Sequence, residues 1–284
     1  MKTMMVKTVA IGGLLLLSST AHALTWSDTF IGYRYGSQFS EPGNSDDVEK
    51  NILQLGHVSG YRYGQNFFNL DVLHSGDEDP AKSSDDGATE AYLVYRHQLH
   101  YGKLFDEPLA FGPVKDVALT AGFDLNTKNS EFAPQKRFLA VGPTLKFDLP
   151  AGFLDVSLYY AREWNHCGLD ACGLGDNEND ISFDAFYQFN AAWGIPFDAY
   201  NVPLKFQGFF NYNAPKGEDY FGRETKPERL IRSSLMMDIG DMVWGDSNQL
   251  WVGAGYEFWR NKYGNHDVPG SDTDAVSFNL EWHL

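Results

Sequence analysis

Three sets of side chains have the makeup of a reactive or binding site. The first is His57-Val58-Ser59, a histidine two residues from a hydroxyl. A serine nucleophile needs an adjacent base and a third group that orients it, so this pair would supply two of the three parts of a hydrolase site. Asn66 and Asn69 are the candidate orienting groups, and no spacing fixes either one beside His57. The second set is His166, Cys167 and Cys172 in a glycine-rich stretch. A metal there would lack a fourth ligand, so a Cys167–Cys172 disulfide is expected and no metal. The third set is a long series of charged and aromatic residues that alternate with apolar ones. It comprises Asp71, Asp124, Lys136, Lys146, Asp155, Tyr159, Asp184, Phe186, Lys205, Phe209 and Glu257, joined in less regular segments by Arg96, Arg232 and Asp238. Both signs of charge occur, which fits charges that neutralise one another in an interior, or a polar path for a solute.

The alternation says what must hold this third set. In 181–193, Ile181, Phe183, Ala185, Tyr187, Phe189, Ala191 and Trp193 share one face, and Ser182, Asp184, Phe186, Gln188 and Asn190 share the other. A two-residue repeat is the signature of a strand. It recurs in 68–72, 117–126, 136–148, 154–163, 202–213, 248–259 and 276–284 and, less cleanly, in 25–35, 48–60, 89–101 and 228–239. The links alternate between polar (36–47, 76–88, 127–135, 165–180, 214–227, 261–274) and compact (61–65, 102–115, 149–152, 194–201, 240–247). Twelve strands with long loops at one end and short turns at the other predict an all-β, up-and-down antiparallel transmembrane barrel.

A soluble sandwich would also have apolar faces. Its strands average about 5–6 residues, whereas these segments run to about 10. Tyr160, Tyr187, Trp193, Tyr212, Tyr256 and Trp282 near segment ends match interfacial girdles. Only a helix or a closed barrel satisfies every backbone group in lipid. The third set then faces the lumen. Twelve strands enclose less space than the 16–18 of water-filled porins. Tyr159, Phe186 and Phe209 would let a flat, uncharged polar solute, such as a nucleobase with its sugar, stack while charged groups bond its edges.

Composition excludes other classes. The 284 residues carry 38 acidic and 22 basic side chains, a formal charge of −16, which disfavours binding to nucleic acid. A chain that is 43% hydrophobic and 15% aromatic is not disordered. Its mean hydropathy of −0.36 argues against a helical membrane protein. Residues 1–23 combine Lys2 and Lys7, an apolar run at 9–17 and Ala21-His22-Ala23, the pattern of a cleaved secretory signal. The barrel is expected to be 24–284, in the bacterial outer membrane, with membrane lipid and lipopolysaccharide as partners. Acidic loops at Asp46-Asp47, 77–79, Asp85-Asp86 and 176–180 read as a solvated surface, since no spacing matches a calcium loop.

Tyr33-Arg-Tyr-Gly36, the run 50–64 and Asn66-Phe-Phe-Asn-Leu-Asp71 belong to one recognisable pattern. So do Glu90-Ala-Tyr-Leu-Val-Tyr-Arg96, Thr120-Ala-Gly-Phe-Asp124 and Ala192-Trp-Gly-Ile-Pro196. Across nearly the whole chain they resemble the Tsx-like nucleoside-specific channels and the related OmpK-type outer-membrane proteins. That resemblance implies a monomeric twelve-stranded barrel with a narrow, ligand-binding lumen, passive transport and no cofactor. An aromatic-glycine step at the end of the first strand lies on the family's solute path; it matches Tyr35-Gly36, with Tyr in place of Phe. Some relatives are phage receptors. His57-Val58-Ser59 is also similar to the His-x-Ser pair of outer-membrane phospholipases. A descending second strand would set it at the inner end, away from the leaflet where those enzymes act. The expected protein is a channel and not an enzyme; the alternatives are such a hydrolase or a plugged structural or receptor barrel.

Overall fold

A computed structural model describes residues 24–79, 87–172 and 179–284. The expected signal segment 1–23, the Asp85-Asp86 stretch and residues 176–178 lie outside the described residues.

Thirteen strands form: β1 (Trp26–Phe39), β2 (Val48–Tyr61), β3 (Gly64–Ser75), β4 (Thr89–His100), β5 (Val114–Lys128), β6 (Arg137–Phe147), β7 (Phe153–His166), β8 (Asp180–Ser182), β9 (Phe186–Ala199), β10 (Val202–Asn213), β11 (Glu228–Asp238), β12 (Leu250–Arg260) and β13 (Thr273–His283). Each pairs antiparallel with its neighbour, and β13 returns to β1 with Tyr33 opposite Leu280 and Tyr35 opposite Phe278. The three-residue β8 pairs with β7 at its long-loop end, while β7 also pairs with β9. The result is a closed barrel of twelve strands, with β8 an extension of one of them.

The wall is inverted relative to a soluble protein. Leu139, Leu158 and Tyr187 are 54%, 50% and 60% exposed on its outside, while Asp71 and Glu257 are 4% and 5% exposed inside. Strand alternation puts apolar residues outward on each of the twelve long strands, as contact with lipid tails requires. No helix among the described residues is long and apolar enough to cross a membrane.

Three expectations are corrected. First, 181–193 is not one strand. It breaks at 183–185 between β8 and β9, so Phe183 turns inward, off the outward face that Tyr187 occupies. Asp184 therefore sits exposed in the break, its amide bonded to the Lys216 carbonyl, and does not line the lumen. Second, 194–201 is mostly strand. β7 stops pairing at Phe153 opposite Gly194, so Pro196 falls where one side of β9 has no partner and its missing N–H costs no ladder bond. The true turn is Tyr200-Asn201, both left-handed (φ 54° and 63°), the type I′ pattern that suits a two-residue hairpin. Third, two short links hold helical turns, α1 (Tyr101–Phe105) and α2 (Ile239–Trp244). The Asp238 carboxylate accepts from the Asp241 amide at 3.1 Å and caps α2, so Asp238 secures the short-turn end.

Candidate functional site

The lumen is built by strand register. On β4, Glu90, Tyr92, Arg96, Gln98 and His100 share the inward face; on β7, Asp155, Ser157, Tyr159, Ala161 and Glu163 do. Nearly every charge there meets an opposite one, as buried charges must. At the short-turn end, Lys146 pairs with Asp155 at 2.7 Å, and Gln98 joins both by accepting from Lys146 and donating to Asp155. Lys205 pairs with Glu281 at 3.2 Å and lies 4.5 Å from the Trp251 ring centre.

In the middle, Arg34 pairs with Asp71 at 2.9 Å and Arg232 with Glu257 at 2.7 Å. Arg232 also reaches Asp71 at 3.6 Å. Asp71 is on β3 and Arg232 on β11, five strands apart around a ring of twelve, so this contact crosses the lumen. Arg232 lies over the Phe209 ring at 5.5 Å. Beside this group, Arg96 pairs with Asp124 at 2.6 Å and lies over Phe138. Phe138, Tyr159 and Phe186 form a buried cluster on the lumen side.

At the long-loop end the charges come from loops as well as strands. Glu41 pairs with Lys50 and Lys262, the latter at 3.3 Å, and stands 3.9 Å from Lys128. Lys128 pairs with Asp79 at 2.8 Å, and Lys262 also donates to the Ser40 carbonyl at 2.7 Å. Burial alone would raise the Glu41 carboxyl, but Lys262, Lys50 and Lys128 together hold it well below the usual carboxylate range. Desolvation pulls the Lys262 ammonium down in spite of Glu41. Glu163 receives Lys216 from the β10–β11 loop at 2.6 Å and Lys136 at 3.6 Å. Burial, with Glu163 and Asp180 nearby, raises the Tyr220 hydroxyl.

The expected path residues divide accordingly. Asp71, Arg232, Glu257 and Phe209 come together in mid-lumen, and Arg96 with Asp124, Lys146 with Asp155, and Lys205 sit in separate pairs. Lys136 faces inward over the Tyr92 and Phe138 rings. Gly36 is on the inward face, where an added Cβ would stand 2.8 Å from the Val276 carbonyl. Tyr35 is a correction. It shares the outward face with Ile31 and Tyr33, and its hydroxyl donates to Glu49 at 3.0 Å. The register irregularity in β1 falls after Gly36, too late to turn Tyr35 inward.

Arg34, Tyr92, Phe138, Glu163 and Glu281 also line the interior. Arg34 and Phe138 were readable, because each is two residues from an inward neighbour, Gly36 or Lys136. Glu41 and Lys262 were not, since loops carry no alternation.

The hydrolase pair is arranged otherwise. His57 shares the outward face with Leu53 and Leu55, and its Nδ1 shares a 2.7 Å hydrogen bond with the Thr29 hydroxyl. Asn66 bonds Tyr95 and His97, and Asn69 bonds Gln54 and Asp71, so neither orients His57. Cys167 and Cys172 form a disulfide, buried against Tyr220. His166 pairs with Asp180 at 2.9 Å. No group of three metal-ligand side chains occurs among the described residues.

No protein-family model matches the chain, and no curated protein does. Among solved structures it is similar to the translocator domain of autotransporter NalP from Neisseria meningitidis, at 12% identity over 93% of this chain and 90% of that one, with a TM-score of 0.48. It is similar to the NanC porin at 10% identity over 92% and 100% of the two chains, TM-score 0.47. The KdgM porin matches at 10% identity over 90% and 99%, TM-score 0.43. Likenesses this distant transfer neither a substrate nor an activity.

Proposed function

We propose that this chain is a monomeric, passive outer-membrane channel whose narrow polar and aromatic lumen admits nucleosides or similar small, flat, uncharged solutes. The observation that carries the reading is the mid-lumen lattice of Arg34, Asp71, Arg232 and Glu257. Its four charges cancel, so it favours neither cations nor anions. Phe209 beneath Arg232 offers a ring face to a flat solute, while Phe138 is buried beneath Arg96 and backs the wall there. Passage requires sites that hold the solute briefly and release it, and no energy source. A solute advances by displacing Arg232 from Asp71, the longest contact of that lattice.

The test is a planar-bilayer recording with the purified protein. The expected result is a small, weakly ion-selective current that adenosine or thymidine reduces and ribose alone does not. A current indifferent to nucleosides rejects the solute class. No current at all supports a second reading, a plugged receptor barrel, which the loop-borne Lys262–Glu41 contacts at the long-loop mouth favour. A detergent phospholipase assay with Ser59→Ala addresses the hydrolase reading; activity abolished by that change would favour it.

A further inference from the structure

Four of the nine arginines, Arg137, Arg162, Arg229 and Arg260, stand on the outward face at or near the long-loop ends of their strands. They form two pairs. Arg229 is directly opposite Arg260. Arg137 is opposite Trp164 and Arg162 opposite Leu139, which makes the two arginines diagonal neighbours. Side chains so related lie about 7–8 Å apart at their bases, near enough for long ones to grip one ligand.

Like charges side by side on a sheet repel, and the two pairs deal with this differently. Arg260 is neutralised by Asp274 at 2.6 Å and Asp272 at 3.7 Å. Neither Arg137 nor Arg162 has a carboxylate partner among the described residues. In a chain of charge −16, two adjacent exposed arginines with no counter-charge among the described residues can accept an anion from elsewhere. Arg162 is held in place: it donates to the Ser182 hydroxyl at 3.0 Å and lies 5.3 Å from the Trp164 ring centre. Between Arg137, Trp164 and Ser182 is a recess of about 140 Å3; Asp180 at its edge is engaged by His166.

We propose that Arg137 and Arg162 seat a phosphate group of a membrane lipid, the phosphorylated glycolipid of the outer leaflet. Guanidinium groups match phosphate oxygens with two bonds each. Directly below the pair lies the exposed apolar wall of Leu139, Val141, Leu158 and Tyr160, which acyl chains of the same molecule would cover. A free phosphate would satisfy the arginines but leave that wall bare. Trp164 stands at the boundary between the two, where indoles favour the headgroup level. The inference rests on the outer-membrane placement and not on conduction.

The test uses the full mature barrel in phosphatidylcholine nanodiscs doped with bisphosphorylated lipid A or with the dephosphorylated lipid, read by native mass spectrometry of retained lipid. The expected result is a retained lipid A adduct on the wild-type protein, at least about fivefold less of it on R137Q/R162Q, and an unchanged level on R229Q. Retention of the two lipids to the same extent by the wild type would overturn the proposal and leave ordinary snorkelling of arginine heads. Loss of the adduct on adding millimolar inorganic phosphate would likewise overturn it in favour of a free-anion site. The heat-modifiable gel shift of a folded barrel verifies that R137Q/R162Q is folded. R137K/R162K, which keeps the charge, should retain an intermediate amount; retention equal to that of R137Q/R162Q would contradict a charge-borne seat.

Discussion

The middle of the lumen and its long-loop mouth are both closed by paired charges, yet they are built differently. In the middle, Arg34, Asp71, Arg232 and Glu257 all sit on strands, each fixed by the pairing of its backbone. At the mouth, Glu41 and Lys262 come from loops more than 200 positions apart (separation 221), joined to Lys50 and Lys128 on the wall. The backbones under a strand-borne pair cannot part without disturbing the ladder, so only side-chain motion opens the middle. A loop-borne pair can part while the barrel stays intact. The middle therefore suits a fixed filter and the mouth a removable cover.

The largest expected effect breaks the middle. Asp71→Ala leaves Arg34 and Arg232 facing each other without their shared acid, and removing one partner of a buried pair costs about 3–5 kcal/mol. Urea unfolding in detergent, followed by gel shift, should show the loss, and the surviving channels should become anion-selective. The matching change at the mouth is Lys262→Met. Glu41 keeps Lys50 there, and the apolar stem of the side chain is preserved, so the loss should be smaller, about 1–2 kcal/mol. Conductance should rise in this variant because the cover loosens. Equal losses for the two variants would erase the distinction between filter and cover.

Acid separates the regions further. Glu41 is held ionised below its unfolded value of about 4.3, so its stabilisation is complete above that value and is lost only as pH falls through the depressed folded one. Conductance measured from pH 7 to 5 should be flat, with opening of the mouth confined to pH below about 4. A rise already at pH 6 would mean that another group governs the cover.

The smallest effect concerns the outer wall. Tyr35→Phe removes one exposed hydrogen bond to Glu49, and should leave the urea midpoint, conductance and nucleoside block unchanged. Altered block would return Tyr35 to the solute path.

What the sequence disclosed follows the same division. Wherever the backbone is a regular strand, one side chain fixes the direction of all the others, so the inward facing of Asp71, Asp124, Lys146, Asp155 and Glu257 was legible. The interruption at 183–185 was not, because Ile181, Phe183 and Tyr187 keep their apolar alternation across a break that reverses it; Asp184 was misplaced as a result. Tyr35 was misplaced for a different reason, since a resemblance assigned it inward against its own parity with Ile31 and Tyr33. The partners of Glu41 were beyond reading, because which loops meet over the mouth depends on how the ring closes.

The central claim is that a neutral, lumen-crossing lattice of charges makes this barrel a narrow conduit for uncharged solutes. Single-channel recording of the wild type and Arg232→Gln, with adenosine on one side, tests it most directly. The account predicts a small wild-type current interrupted by adenosine, and in Arg232→Gln a larger, cation-favouring current on which adenosine has less hold. Identical conductance in the two proteins, with no interruption by adenosine in either, would contradict it.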